Sequence, residues 1–255
     1  LMIRSSLILA ALVVSGALSA FADVASANAA FRAGQYDLAL SEAAGERSAD
    51  AHALRARAIL AKVMCSGREP DLAALTDALA AADAALKLDA EHGEGRLQKA
   101  ITLSLLTRPM SLGDARDSGY GPKARALAEA VLANDPANHY ALGFLAVWHV
   151  EVHRRGGSLG AAVMGASLKT ARKYYAEAVR LAPEDAGLRW QWARALAAFD
   201  AKKYHGEIEA ELEAALAIDP QTDLDRVMQD RARTLLDLVR TAKTRDIEKT
   251  AQGML

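Results

Sequence analysis

Cysteine occurs once in the 255 residues, at Cys65. A single thiol excludes an intrachain disulfide framework and a multi-cysteine zinc site. Aromatic residues make up only 5% of the chain, although hydrophobic residues reach 52%. The apolar mass is therefore mostly Ala, Leu and Val. Ala and Leu favour helix, whereas strands draw on β-branched and aromatic residues. An excess of charge is missing too: 31 Lys and Arg stand against 32 Asp and Glu, a net of −1. A nucleic-acid-binding domain carries a basic excess, so no nucleic-acid partner is expected. A disordered chain would combine high charge with low hydrophobicity, so a folded core is expected.

One long apolar stretch is present, at the N-terminus. Residues 1–22 read LMIRSSLILAALVVSGALSAFA, with Arg4 as their only charge. Small and apolar residues fill the 16 positions from Leu7 to Ala22, and Ala20-Phe21-Ala22 has the small-x-small order that a signal peptidase reads. Sixteen residues are few for a span that needs about 20. The expectation is a cleavable signal peptide over residues 1–22, a mature chain beginning at Asp23 without a transmembrane segment, and export, with the bacterial periplasm as the compartment. An uncleaved anchor or a buried first helix would also use such a segment.

Downstream, turn signals recur. Leu88-Asp89-Ala90, Asn134-Asp135-Pro136, Leu181-Ala182-Pro183 and Ile218-Asp219-Pro220 each close a helical run, at spacings of 46, 47 and 37 residues. The runs have helical apolar periodicity: Ala78, Ala82, Ala85 and Leu86; Ala124, Ala128, Val131 and Leu132; Ala171, Tyr175, Ala178 and Val179; Ile208, Leu212, Ala215 and Leu216. Pro after such a run stops the helix, because it has no N–H and restricts the residue before it.

The pattern resembles the tetratricopeptide repeat (TPR), a 34-residue pair of antiparallel helices. Ala171, Tyr175, Ala178 and Pro183 match the second half of that motif. Gly34-Gln35-Tyr36-Asp37-Leu38-Ala39-Leu40 resembles the turn between its two helices, Leu142-Gly143 the Leu-Gly of a first helix, and Trp190 its leading Trp. No repeat is complete. Residues 139–244 are also loosely similar to regulator-of-microtubule-dynamics-type TPR proteins, in a His-x-x-Leu-Gly start, an inserted small-residue helix, a repeat closing in Pro and a last helix near Asp223–Thr244. The resemblance implies an all-α fold over residues 23–255: a right-handed α-solenoid of about four to five degenerate TPR-like helix pairs with a C-terminal capping helix. It implies no microtubule role for an exported chain.

Two spacings exceed 34 by 12 and 13 residues. The first excess lies around Thr107–Pro122, rich in Gly, Pro, Asp and Ser, and reads as a loop. The second lies around Arg154–Ser167, where Gly156-Gly157 breaks a helix, Ser158 suits a cap, and a small apolar segment follows. Insertions of this kind either mark the working face of a repeat protein or record drift.

Chemical motifs are few. His149 and His153, at i and i+4, share a helix face and form a weak metal candidate, but Glu151 lies roughly 200° around the helix from either. Packing of His149 between helices, and His153, Arg154 and Arg155 at a helix C-terminus, would explain the same residues. Gly156-Gly157-Ser158-Leu159-Gly160 lacks the Gly-Lys-Ser/Thr ending of a phosphate loop, and no Gly-x-Ser-x-Gly elbow occurs. No enzyme class, cofactor or metal is expected. Tyr140, Phe144 and Trp148, at i, i+4 and i+8, place three scarce aromatics on one stripe, opposite Leu142, Ala146 and His149. The resemblance places such a stripe in a concave groove, with Arg154 and Arg155 at its end, as a site for a protein or peptide partner; the stripe would equally serve as core against the inserted segment. The expected function is a non-catalytic protein- or peptide-binding adaptor. The alternative is a small-molecule or metal-ligand binding protein, associated with transport, built on the 149–167 region.

Overall fold

The computed structural model describes residues 24–66 and 71–254. The expected signal peptide, residues 1–22, lies outside them. All regular structure among the described residues is helical. Residues 24–32 form α1. Then follow α2 (Tyr36–Ala44), α3 (Ala49–Cys65), α4 (Leu72–Leu88), α5 (Gly93–Leu106), α6 (Leu112–Asp117), α7 (Tyr120–Asn134), α8 (His139–Met164), α9 (Leu168–Leu181), α10 (Ala186–Asp200), α11 (His205–Leu216), α12 (Asp223–Thr241) and α13 (Thr244–Gly253).

The turns fall where Pro and Asp place them: α4, α7 and α9 end at Leu88, Asn134 and Leu181, and α11 ends two residues before Ile218. Helix starts are set by side chains that accept from orphan backbone N–H groups. Ser48, Asp71, Asn138, Ser167 and Asp185 do this for α3, α4, α8, α9 and α10. Thr222 and Asp225 form a reciprocal capping box on α12. Two expectations are corrected. The Thr107–Pro122 segment is not all loop: Ser111 caps the short helix α6 inside it. The expected break at Gly156-Gly157 is present, as non-helical angles at Gly157 (φ 59°, ψ −164°) where two helical stretches of α8 meet, but the expected cap is not: Ser158 makes no capping hydrogen bond among the described residues. A side chain at that φ would be strained, so glycine there lets the helix change direction and resume.

Alanine dominates the contacts between helices. Ala39, Ala51, Ala78, Ala82, Ala100, Ala124, Ala128, Ala171 and Ala178 are fully buried. Small side chains let helix axes approach closely, and α2 packs on α3, α3 on α4, α4 on α5, α5 on α7, α8 on α9 and α10 on α11. Alternate helices also meet: α3 with α5, α5 with α8, α8 with α10, and α10 with α12. Their side-chain contacts join start to start, and farther along α8 and α10 middle to middle. Asp50 meets His92 at 2.9 Å, and Arg57 meets Glu94 at 3.6 Å. His139 meets Asp185 at 3.7 Å, while Arg194 meets Glu151 at 3.3 Å. The four helices α3, α5, α8 and α10 thus run in one direction.

The C-terminal helices do more than cover an end. Leu235, Leu236, Val239 and Ile247 are buried in one cluster with Trp190, Trp192 and Leu196 of α10. At the same time α12 reaches back to α3. Leu224 packs against the N-terminal cluster of Phe31, Tyr36 and Leu54. Arg231 donates to the Met64 carbonyl, and the Arg108 guanidinium donates to the carbonyls of Gln252 and Met254 at 2.8 and 3.1 Å. Cys65 lies at this closure with its thiol raised by burial, beside Tyr36, whose hydroxyl is pushed to about 12 by burial and by the thiol.

Candidate functional site

The helices α3, α5, α8, α10 and α12 all face one space, with α12 in contact with α3, and large side chains would be needed to fill it. An alanine-rich, aromatic-poor chain has few to spare. The centre is accordingly a cavity of about 1600 Å³, larger than a typical small-ligand pocket of about 300–1,000 Å³. Its walls are helical stripes at i, i+4 spacing: Leu60 and Met64 from α3; Leu97, Ile101 and Leu105 from α5; Tyr140, Phe144 and Trp148 from α8. Leu188 of α10 and Leu224 and Met228 of α12 complete an apolar girdle.

All five residues proposed from sequence as the binding surface line this one cavity. They do different work there. Tyr140 is 49% exposed and Phe144 partly buried. Trp148 is 5% exposed, its indole N–H donates to the Gly121 carbonyl at 3.1 Å, and the Arg125 guanidinium lies 5.3 Å from its ring centre. The tryptophan is therefore seated by α7 and only edges into the cavity. In the inserted segment Leu159 and Val163 are each 79% exposed and line the cavity. Arg155 pins the insertion after α5, donating to the carbonyls of Thr107 and Met110 at 2.9 Å each. Arg154 donates through Nε to Glu151 at 2.7 Å.

The cavity is electrically polar. Where the parallel helices begin, it meets Glu94, Asp185 and Asp225, with Arg57 and His139 among them. Confinement and the facing Asp185 carboxylate raise the Tyr140 hydroxyl. Burial raises Asp185 as well, against the bond it accepts from the Leu188 N–H. Toward the helix ends the lining residues are Arg108, Arg154, Arg155 and Arg194 around a single acid, Glu151. Burial pushes the Glu151 carboxyl up, yet Arg194, Arg154 and Arg108 together hold it below the usual carboxylate range. The local field there is positive enough to overcome dehydration of an anion.

The histidine pair does not form a metal site with Glu151, which faces the cavity. His149 is 2% exposed, stacks on Tyr174, and accepts from the Ser167 N–H through Nδ1 at 3.2 Å. His153 packs on Phe199, and its Nε2 is buried without a hydrogen bond among the described residues. No group of three or more His, Cys, Asp or Glu side chains among the described residues is arranged to hold a metal.

Burial first, and Arg125 second, lower the His149 pKa to about 4 from 6.5. Between these values the unfolded ring takes a proton that the native ring refuses. The stability contributed by neutral burial is complete above pH 6.5 and is lost as pH falls toward 4, by roughly 3 kcal/mol. Urea melts across that range should show a flatter acid limb for His149→Gln than for wild type. Identical slopes would contradict the assignment.

Arg57, Arg108, Arg194 and the Leu97–Ile101–Leu105 stripe were missed as site residues by sequence reasoning. The stripe had a legible signal, i, i+4 spacing on a helix that begins a pair. The arginines had none, because their place depends on helices far apart in the chain. No family model matches this chain, and no curated protein matches it.

Proposed function

We propose that the protein is a non-catalytic binding protein that holds an apolar-bodied small molecule in the central cavity. The observation that carries this reading is the closure of α12 onto α3 around a large, mainly apolar space. A peptide-binding adaptor would need a concave surface open along its length, and the contact of α12 with α3 narrows that opening on one side. The helix pairs α1–α2, α3–α4, α5–α7, α8–α9 and α10–α11 are proposed as degenerate TPR-like repeats of a right-handed solenoid, capped by α12 and α13. Their order, the four turns and the pairwise packing support that reading. The leader-like residues 1–22 support a place in the bacterial envelope.

The test is titration of the purified chain with the neutral dye N-phenyl-1-naphthylamine. Saturable binding with one or a few dye molecules per chain is expected, weakened by Ile101→Trp, which adds bulk to the α5 wall, while the melting temperature changes little. Absence of saturable binding to the wild-type chain would overturn the proposal.

A further inference from the structure

The two ends of the cavity offer a ligand different chemistry. The acids where the helices begin already have structural duties. Glu94 pairs with Arg57 at 3.6 Å. Asp185 caps α10, and Asp225 closes the capping box of α12. At the other end the duties are lighter. Arg154 uses Nε on Glu151, and neither of its two terminal nitrogens makes a hydrogen bond among the described residues. Arg194 spends Nε on Gln191 at 3.1 Å and one terminal nitrogen on Glu151 at 3.3 Å. A guanidinium carries five N–H donors in a planar fork that suits a carboxylate. Glu151 is therefore a resident carboxylate in a cradle with donors left over.

Between the two ends lies the apolar girdle. Along α8 the wall from Tyr140 to Glu151 rises about 17 Å, the length of a medium to long alkyl chain. A neutral apolar guest would leave the spare arginine donors facing its tail. A cationic amphiphile would have to compete with Arg57 for Glu94 and with the helix caps for Asp185 and Asp225. An anionic amphiphile satisfies both regions at once.

We propose that the cavity takes up a long-chain carboxylate, its head on Arg154 and Arg194 beside Glu151, its chain along the α5 and α8 stripes. This rests on the cavity being a binding site at all, and it adds the ligand class and the ligand's orientation. Arg155 and Arg108, tied to backbone carbonyls, supply positive field at the head and hold the walls. Glu151 sets the upper limit on affinity, since the incoming anion shares arginines with it.

Displacement of the bound dye by dodecanoate, dodecanol and dodecylammonium separates the readings, because the three share one chain and differ in head charge. Dodecanoate should displace at a concentration about tenfold below dodecanol, as expected for one charge-assisted contact. Arg154→Gln should erase that preference. Glu151→Gln should strengthen dodecanoate binding about fivefold by releasing the arginines, a gain that misfolding does not produce. Equal displacement by all three ligands would overturn the orientation and leave the apolar site standing. Preference for dodecylammonium, or weaker dodecanoate binding in Glu151→Gln, would also overturn it. Failure of the dye itself to bind would instead remove the underlying reading.

Discussion

Deleting residues 223–255 should yield a chain that aggregates or loses fixed tertiary packing. The deletion strips Leu235, Leu236, Val239 and Ile247, each at most 5% exposed, from the faces of α10 and α11. Full burial of such a side chain is worth roughly 1.5–3 kcal/mol, so the four together contribute about 6–12 kcal/mol before chain entropy. The net stability of a domain is about 5–15 kcal/mol. The loss is of the same size as the whole. The deletion also removes one wall of the cavity and the Arg231 contact with Met64 that ties the C-terminal helices to α3. Near-UV circular dichroism and sedimentation velocity would report the outcome. A monomeric truncated chain melting close to the full-length protein would show that α12 and α13 are dispensable.

Trp148→Ala should have the largest effect of any single substitution in the aromatic stripe. The indole is 5% exposed, and its removal leaves a void under α8 and loses the bond to the Gly121 carbonyl. Loss of about 3–5 kcal/mol is expected. In a chain of this size that corresponds to a fall in melting temperature of roughly 6–20 °C. Tyr140→Ala, at a half-exposed position, should cost less than about 1 kcal/mol while weakening dye binding. Differential scanning calorimetry of both variants separates the two roles. A near-wild-type melting temperature for Trp148→Ala would mean that the indole stands free in the cavity.

The stripe shows how far sequence reasoning reaches. Helical spacing correctly placed Tyr140, Phe144 and Trp148 on one face, and their opposites Leu142, Ala146 and His149 are buried. It offered groove and core as alternatives for the whole stripe. The structure divides it: Tyr140 opens to the cavity and Trp148 is tied to α7. The deciding contact is with Gly121, 27 residues upstream at the start of α7. The histidines followed the same rule. Spacing placed His149 and His153 one turn apart, but the Ser167 N–H and the Tyr174 ring decided what His149 does.

Helical structure and the positions of the four turns were determined by the sequence alone. Both are local properties: Ala and Leu lose little on entering a helix, and Pro and Asp act within one turn of where they stand. The scarcity of large side chains was legible too, but not its consequence. The cavity and its two oppositely charged ends arise only when helices far apart in the chain, α12 and α3 among them, come together. Such contacts join Met64 to Arg231 and Arg108 to Gln252, more than a hundred residues apart. Periodicity over a dozen residues cannot encode such separations, so the tertiary structure decided where the arginines gather and what they surround.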